Sequence, residues 1–207
     1  MKNKIIIVFI ALICSIAVVL FYRTQFQKQY DQTYAKASES AKDAVEEVKT
    51  LVSEGQKLIN KKDIKIPKEG QQYANVSIDR VHLDKPVYYG DNESILDIGV
   101  GQYMNSGLPG EGRPILLAGH NGTHFNQLQY VEKGDIVKLK TSWGNYEYKV
   151  YDIKIMTPEE FDTDCLNDQK EYLIMYSCYP FDQSPAPQRF FVYASLVSGP
   201  AIREDVK

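Results

Sequence analysis

The chain has 207 residues, a length that suits one domain with appendages. Its formal net charge of −3 argues against a nucleic-acid-binding surface. Its three cysteines, Cys14, Cys165 and Cys178, are too few and too scattered for a disulfide framework or a zinc site.

Lys2 and Lys4 precede an uncharged run over residues 5–22. That run is near the lower limit for a membrane-spanning helix, about 17–25 apolar residues. A cleaved signal peptide is the competitor, but its apolar region is usually about 7–15 residues and ends at small residues. Here the run ends Val-Val-Leu-Phe-Tyr-Arg, with no small residue. The expectation is an uncleaved signal anchor, with residues 1–4 inside and everything after residue 22 outside the cell. Cys14 then lies mid-span as one more apolar residue. On the outside, an unpaired Cys178 stands out, because secreted proteins seldom keep a lone thiol without a use.

Residues 23–72 read as a helical stalk and linker. Tyr34, Ala37, Ala41, Ala44, Val48, Leu51 and Leu58 follow a three-four spacing broken at Gly55, which marks one face of a helix. A dimerisation seam and a plain spacer helix both fit that stripe, and its small alanines favour the spacer. Residues 64–70 look like the linker proper.

Residues 73–207 form the folded domain. Residues 74–83 alternate as one strand, residues 86–90 give a short edge strand, and residues 94–100 a single helical turn. Residues 106–112 are a glycine-rich loop without the Gly-Lys-Ser/Thr of a phosphate cradle. Residues 113–118 are a strand that Gly119-His120-Asn121-Gly122 leaves sharply, and residues 123–130 a short helix. Residues 135–140 and 146–156 pair across Ser142-Trp143-Gly144-Asn145. Residues 159–168 are an acidic loop. Residues 172–176 and 190–197 are apolar and aromatic runs, separated by a loop holding Pro180, Pro185 and Pro187. Many short strands with little helix argue for a mainly β, closed or sandwiched fold.

Cys178 and Arg189 fall at the facing ends of those last two strands, and His120 also sits where a strand empties into a loop. A buried structural cysteine beside a surface arginine is the plain alternative. Of the other histidines, His82 falls in the first strand and His124 one helical turn beyond His120. A cysteine nucleophile needs a histidine near in space, and a nearby guanidinium favours the thiolate and can bond an oxyanion. Residue chemistry alone reaches an extracytoplasmic cysteine acyl-transfer enzyme and stops there.

From Ala74 onward the sequence resembles the sortases, membrane-anchored cysteine transpeptidases of Gram-positive bacteria. Val76-Ser77-Ile78 with Leu83-Asp84-Lys85-Pro86-Val87 is similar to the family's opening strands. Leu108-Pro109-Gly110-Glu111-Gly112 followed by Leu117-Ala118-Gly119-His120 resembles its histidine signature. Ile174-Met175-Tyr176-Ser177-Cys178 occupies its Thr-Leu-x-Thr-Cys, and Arg189-Phe190-Phe191-Val192-Tyr193-Ala194 its arginine strand. The His-to-Cys and Cys-to-Arg separations, 58 and 11 residues, fit as well. Ile174 and Ser177 each stand where the family has threonine.

The resemblance implies an eight-stranded β-barrel with short helices and a two-step reaction on an LPXTG-like sorting signal. In that reaction Cys178 is the nucleophile, His120 the proton donor and acceptor, and Arg189 the group that positions substrate and oxyanion. Ser177 would bind substrate through its hydroxyl. Partners would be surface proteins bearing the signal and a peptidoglycan-precursor amine at the cell membrane, with no cofactor. The acidic loop, with Glu159, Glu160, Asp162, Asp164 and Asp168, is of the type that suits calcium, and a solvated loop explains it more simply. Cys178-Tyr179-Pro180-Phe181 with Ala186-Pro187-Gln188-Arg189 resembles class D most. Residues 62–73 lack the Asp-Pro-aromatic lid of pilin-polymerising members, which favours cell-wall anchoring over pilin polymerisation. The non-enzymatic alternative is a membrane-tethered interaction module with Cys178 as a buried relic.

Overall fold

The computed structural model describes Gln25 and residues 57–183 and 185–204. The anchor expected over residues 5–22 and most of the stalk lie outside the described residues. Among the described residues no helix is long and apolar enough to cross a membrane. The compact unit treated below is Gln56–Lys207.

Its strands are β1 (Leu58–Asn60), β2 (Gln72–Ile78), β3 (Leu83–Tyr89), β4 (Val100–Gln102), β5 (Ile115–Ala118), β6 (Ile136–Thr141), β7 (Asn145–Met156), β8 (Tyr172–Tyr179), β9 (Gln188–Ser198) and β10 (Ala201–Arg203). Eight of them close a barrel in the order β2-β3-β4-β5-β8-β9-β7-β6, with β6 pairing back onto β2. The mainly β, eight-stranded barrel with short helices is therefore present as expected. Closure leaves the barrel no free edge. The β3–β4 and β5–β8 pairs are parallel and the others antiparallel. A parallel pair needs a long crossover, and the β6–β7 hairpin supplies the one between β5 and β8.

Alternation along the strands splits the apolar residues into two clusters. Leu173, Met175, Val192 and Ala194 join Ile115 and Leu117 in the barrel interior. Ile174, Phe191 and Leu116 point the other way and are covered by Leu166, Phe161 and Cys165 from the loop after β7. Strands β5, β8 and β9 are thus buried on both faces over part of their length. This explains why the sequence there reads as unbroken apolar runs rather than alternation.

Two expectations are corrected. Residues 74–83 are not one strand: β2 ends at Ile78, a 3₁₀ turn spans Asp79–Val81, and His82 adopts a left-handed conformation with φ 53° before β3 begins. Arg80 fixes this corner with its guanidinium on the Asp135 carboxylate, 2.6 Å away. Nor does the helical stripe continue through Leu58. Leu58–Asn60 pairs in parallel with Ala201–Arg203, and a 3₁₀ turn follows at Lys61–Asp63. Ile64 and Pro67 are buried, so the supposed linker packs as part of the domain.

Candidate active site

The first candidate side chain, His120, is placed by the parallel β5–β8 ladder. Ala118 lies opposite Tyr176, so the two residues after it, Gly119 and His120, leave the sheet level with Ser177 and Cys178. Gly119 is held on both sides: its N–H donates to the Tyr176 carbonyl at 3.2 Å, and its own carbonyl accepts the Ser177 hydroxyl at 2.6 Å. A Cβ at Gly119 would come within 2.8 Å of the buried Phe125 ring, so only glycine fits this approach. Beyond it the Phe125 N–H donates to the His120 carbonyl at 3.0 Å, and Asn121 Nδ2 donates to the Pro180 carbonyl at 3.1 Å. The histidine loop is thereby tied to the loop that follows Cys178.

The second and third side chains come from one antiparallel ladder. Ser177 faces Phe190, and Cys178 faces Arg189, in direct register. Cys178 shares strand parity with Ile174 and Tyr176, and Arg189 with Phe191. Both therefore project on the outer face of the barrel, away from the core. Cys178 is a free, half-buried thiol. The Arg189 guanidinium spends Nη1 on the Ala186 and Gln188 carbonyls, at 3.0 and 2.9 Å. Its Nε and Nη2 have no hydrogen-bond partner among the described residues.

Ser177 is not on that face. It is 1% exposed, and its hydroxyl is committed to Gly119. The hydroxyl expected to meet substrate is thus turned to the carbonyl of the residue immediately before His120. Cys165 sits in the loop after β7, where burial pushes its thiol up from the ordinary cysteine range. That is the opposite of what a nucleophile needs. His82 is exposed on the β2–β3 corner, and the His124 ring contacts the Asp97 carbonyl at 3.1 Å.

A groove of 300 Å³ runs along the same outer face. Leu116, Tyr176 and Phe191 line it from the strands, and Pro158 and Phe161 from the loop after β7. Phe161 stacks on Phe191 with ring centroids 4.7 Å apart. Arg189 and Asp91 bring the charges to this apolar lining. Desolvation pushes the Asp91 carboxyl up from its usual range. This concave, largely apolar trough reaches Arg189, the register partner of Cys178.

The acidic loop does not assemble into a cation cage. Glu160 accepts the Thr157 N–H at 2.7 Å, Asp162 the Asp164 N–H at 2.9 Å, and Asp168 the Tyr172 hydroxyl at 2.9 Å. These carboxylates close the loop's own turns. Among the described residues, the group whose ligand atoms gather within 4.8 Å is Glu93, Asp97 and His120.

A family model, the sortase domain, matches residues 76–197. The chain belongs to the sortase family. It is 33% identical to Sortase D of Bacillus subtilis (strain 168) over 169 residues, which is 81% of this chain and 84% of that one. It is 27% identical to Sortase A of Bacillus anthracis over 132 residues, 61% of this chain and 60% of that one. Among solved structures, sortase C from Clostridium perfringens SM101 aligns with a TM-score of 0.57 at 28% identity, covering 64% of this chain and 73% of that one. Transpeptidation is the activity that goes with the family.

Three acids stand beside His120 or in the groove with no signal of that proximity in the local sequence. Asp91, Glu93 and Asp97 belong to a short segment around the helix α1 (Glu93–Leu96), far from His120 in sequence. No local pattern announces a contact of that kind.

Proposed function

We propose that this sortase is a membrane-anchored cysteine transpeptidase. It cleaves an LPXTG-like sorting signal between Thr and Gly and joins the acyl group to an amine of a cell-wall precursor. The observation that carries this reading is the register of Cys178 against Arg189, with His120 leaving the neighbouring strand at the same level.

Cys178 attacks the threonine carbonyl, and the Arg189 donors left free meet the developing oxyanion. His120 protonates the departing glycine amine as the C–N bond breaks, leaving a thioester on Cys178. An incoming amine then attacks the thioester carbon, His120 takes its proton, and the thiolate leaves. Without an amine, water resolves the same thioester and the enzyme acts as a hydrolase. The substrate chain lies in the groove between Phe161 and the β8–β9 surface. Anchoring by residues 5–22 places the catalytic domain outside the membrane, where surface proteins and precursor amines meet it. The absence of an Asp-Pro-aromatic stretch over residues 62–73 favours cell-wall anchoring over pilin polymerisation.

The test is the full chain in detergent, incubated with an LPXTG-type peptide and a primary amine and followed by mass spectrometry. A Cys178-linked acyl intermediate and a joined product are expected. If no sorting-signal peptide ever acylates Cys178, the reading fails.

A further inference from the structure

Nε2 of His120 lies 3.5 Å from Glu93 Oε1 and 3.9 Å from Asp97 Oδ1. Both carboxylates come from α1 or its C-cap, and the helix is built to hold them there. Asn92 caps its start by accepting the Ile95 N–H at 3.2 Å, and Asn92 Nδ2 donates to Glu69 at 2.9 Å. Ile95 is 3% exposed and anchors the turn in the domain. At the other end the His124 ring, one turn beyond His120, meets the Asp97 backbone carbonyl at 3.1 Å. The helix and the histidine loop are thus bound to each other by a contact that does not involve His120 itself. The His120 Nδ1 has no hydrogen-bond partner among the described residues.

We propose that Glu93, assisted by Asp97, is a positioning residue for His120. It keeps the ring proton on Nε2, turned toward α1, and leaves Nδ1 as the nitrogen that exchanges protons with amines. This rests on the acyl-transfer reading above and assigns each nitrogen a task. In acylation the imidazolium gives its Nδ1 proton to the departing glycine amine as the C–N bond breaks. The neutral ring that remains is protonated at Nε2, opposite the carboxylates. In the second step the incoming amine attacks the thioester and passes a proton to Nδ1. The C–S bond then breaks, and Cys178 leaves as thiolate beside a restored imidazolium. A carboxylate that orients a ring N–H and steadies the cation is the general device of histidine bases. Contacts of this kind are commonly long in the unliganded state and tighten when substrate arrives.

Glu93 and Asp97 are both exposed, which limits the size of the effect. An exposed pair is worth little, so each single neutralisation lowers the acyl-transfer rate by about two- to fivefold, and the double variant by about tenfold.

The experiment compares full-length wild type, Glu93→Gln, Glu93→Asp and Glu93→Gln/Asp97→Asn, each labelled with [15N]histidine. With three histidines in the chain, His120→Ala assigns the signal. The expected wild-type neutral ring is protonated at Nε2, and the double variant shifts toward the mixed tautomers of free imidazole. In kinetics the double variant loses kcat while the peptide KM holds, and Glu93→Asp restores part of the rate. Unchanged ring signals in the double variant overturn the proposal even if activity falls, because the loss is then structural. A shifted ring with an unchanged rate overturns it as well. The ring measurement needs no turnover, so it stands apart from any failure to acylate Cys178.

Discussion

Cys178 and Arg189 are register partners on adjacent antiparallel strands, and both project on the outer face of the barrel rather than into its core. The ladder therefore holds the two backbone positions side by side through backbone hydrogen bonds, although ten residues separate them in sequence. Arg189→Ala should lower kcat by about 10²- to 10³-fold, the usual loss for one oxyanion donor. Arg189→Lys keeps the charge without the planar fork and should recover little of that loss. Cys178→Ala should form no acyl intermediate, while Cys165→Ala should keep turnover near wild type. Iodoacetamide should label Cys178 before Cys165, whose thiol burial holds in the protonated form. Intact-mass kinetics read all of these.

Ser177 precedes Cys178 and bonds the residue before His120. Removing its hydroxyl leaves the Gly119 carbonyl without that donor in a buried position, a cost of about 1–3 kcal/mol. Ser177→Ala should therefore lower stability and loosen the loop that carries His120. The acylation rate should fall, with little change in peptide KM. Ser177→Thr keeps the donor and should behave close to wild type. Urea unfolding with single-turnover acylation separates the two effects.

The same residues show where sequence was sufficient. Strands β5, β8 and β9 are legible because both faces are covered, so their apolar runs are dense and end at Gly119 and Pro180. The β6–β7 hairpin is legible from its Ser-Trp-Gly-Asn turn, where Thr141 Oγ1 accepts the Trp143 and Gly144 N–H groups at 3.2 and 2.9 Å. The β2–β3 corner shows in the sequence only as a slip of parity, apolar residues falling at 76 and 78 and then at 81 and 83, and the left-handed residue there is a histidine rather than a glycine. Strand β1 was hidden by its neighbours, an Ala-, Lys- and Glu-rich stretch, and by a partner at Ala201–Arg203 far along the chain. The approach of α1 to His120 is a long-range contact that no local spacing encodes, whereas the inward turn of Ser177 follows from strand alternation once Cys178 faces out.

Strand β1 carries a practical consequence. Ala201 N–H donates to the Lys57 carbonyl at 3.0 Å, and Lys61 Nζ meets Glu204 at 3.0 Å, although that exposed pair adds little. Ile202, 7% exposed, also donates its N–H to the Gly110 carbonyl at 2.7 Å. A chain that begins at Ile64 loses the parallel pairing and uncovers β10. It should be less stable than one beginning before Gln56 by about 1–3 kcal/mol, or several degrees in Tm for a domain of this size. Thermal unfolding of the two chains checks this, and equal midpoints would show that β1 contributes nothing.

Glu171 gives the domain a pH signature. It is 7% exposed at the entrance to β8 and accepts the Gly110 N–H, the Gly112 N–H at 3.0 Å and the Tyr148 hydroxyl at 2.6 Å. Burial pushes its carboxyl above the usual glutamate range, and these three donors offset only part of that shift. A carboxyl raised in the folded state binds its proton more tightly there than in the unfolded chain. Its contribution to stability is then fully present below the unfolded value of 4.5, and is lost as pH rises through the folded value. Glu171→Gln removes this dependence. Its amide oxygen can still accept from both glycines, and its NH₂ can donate to the Tyr148 oxygen. Relative to wild type, Glu171→Gln should gain stability as pH is raised from about 4.5 toward neutral. Glu171→Ala should be destabilised throughout, because the two glycine N–H groups lose their acceptor. Urea midpoints between pH 4 and 8 decide it. A wild-type minus Gln difference that stays flat across that range would mean Glu171 titrates alike in the folded and unfolded chains.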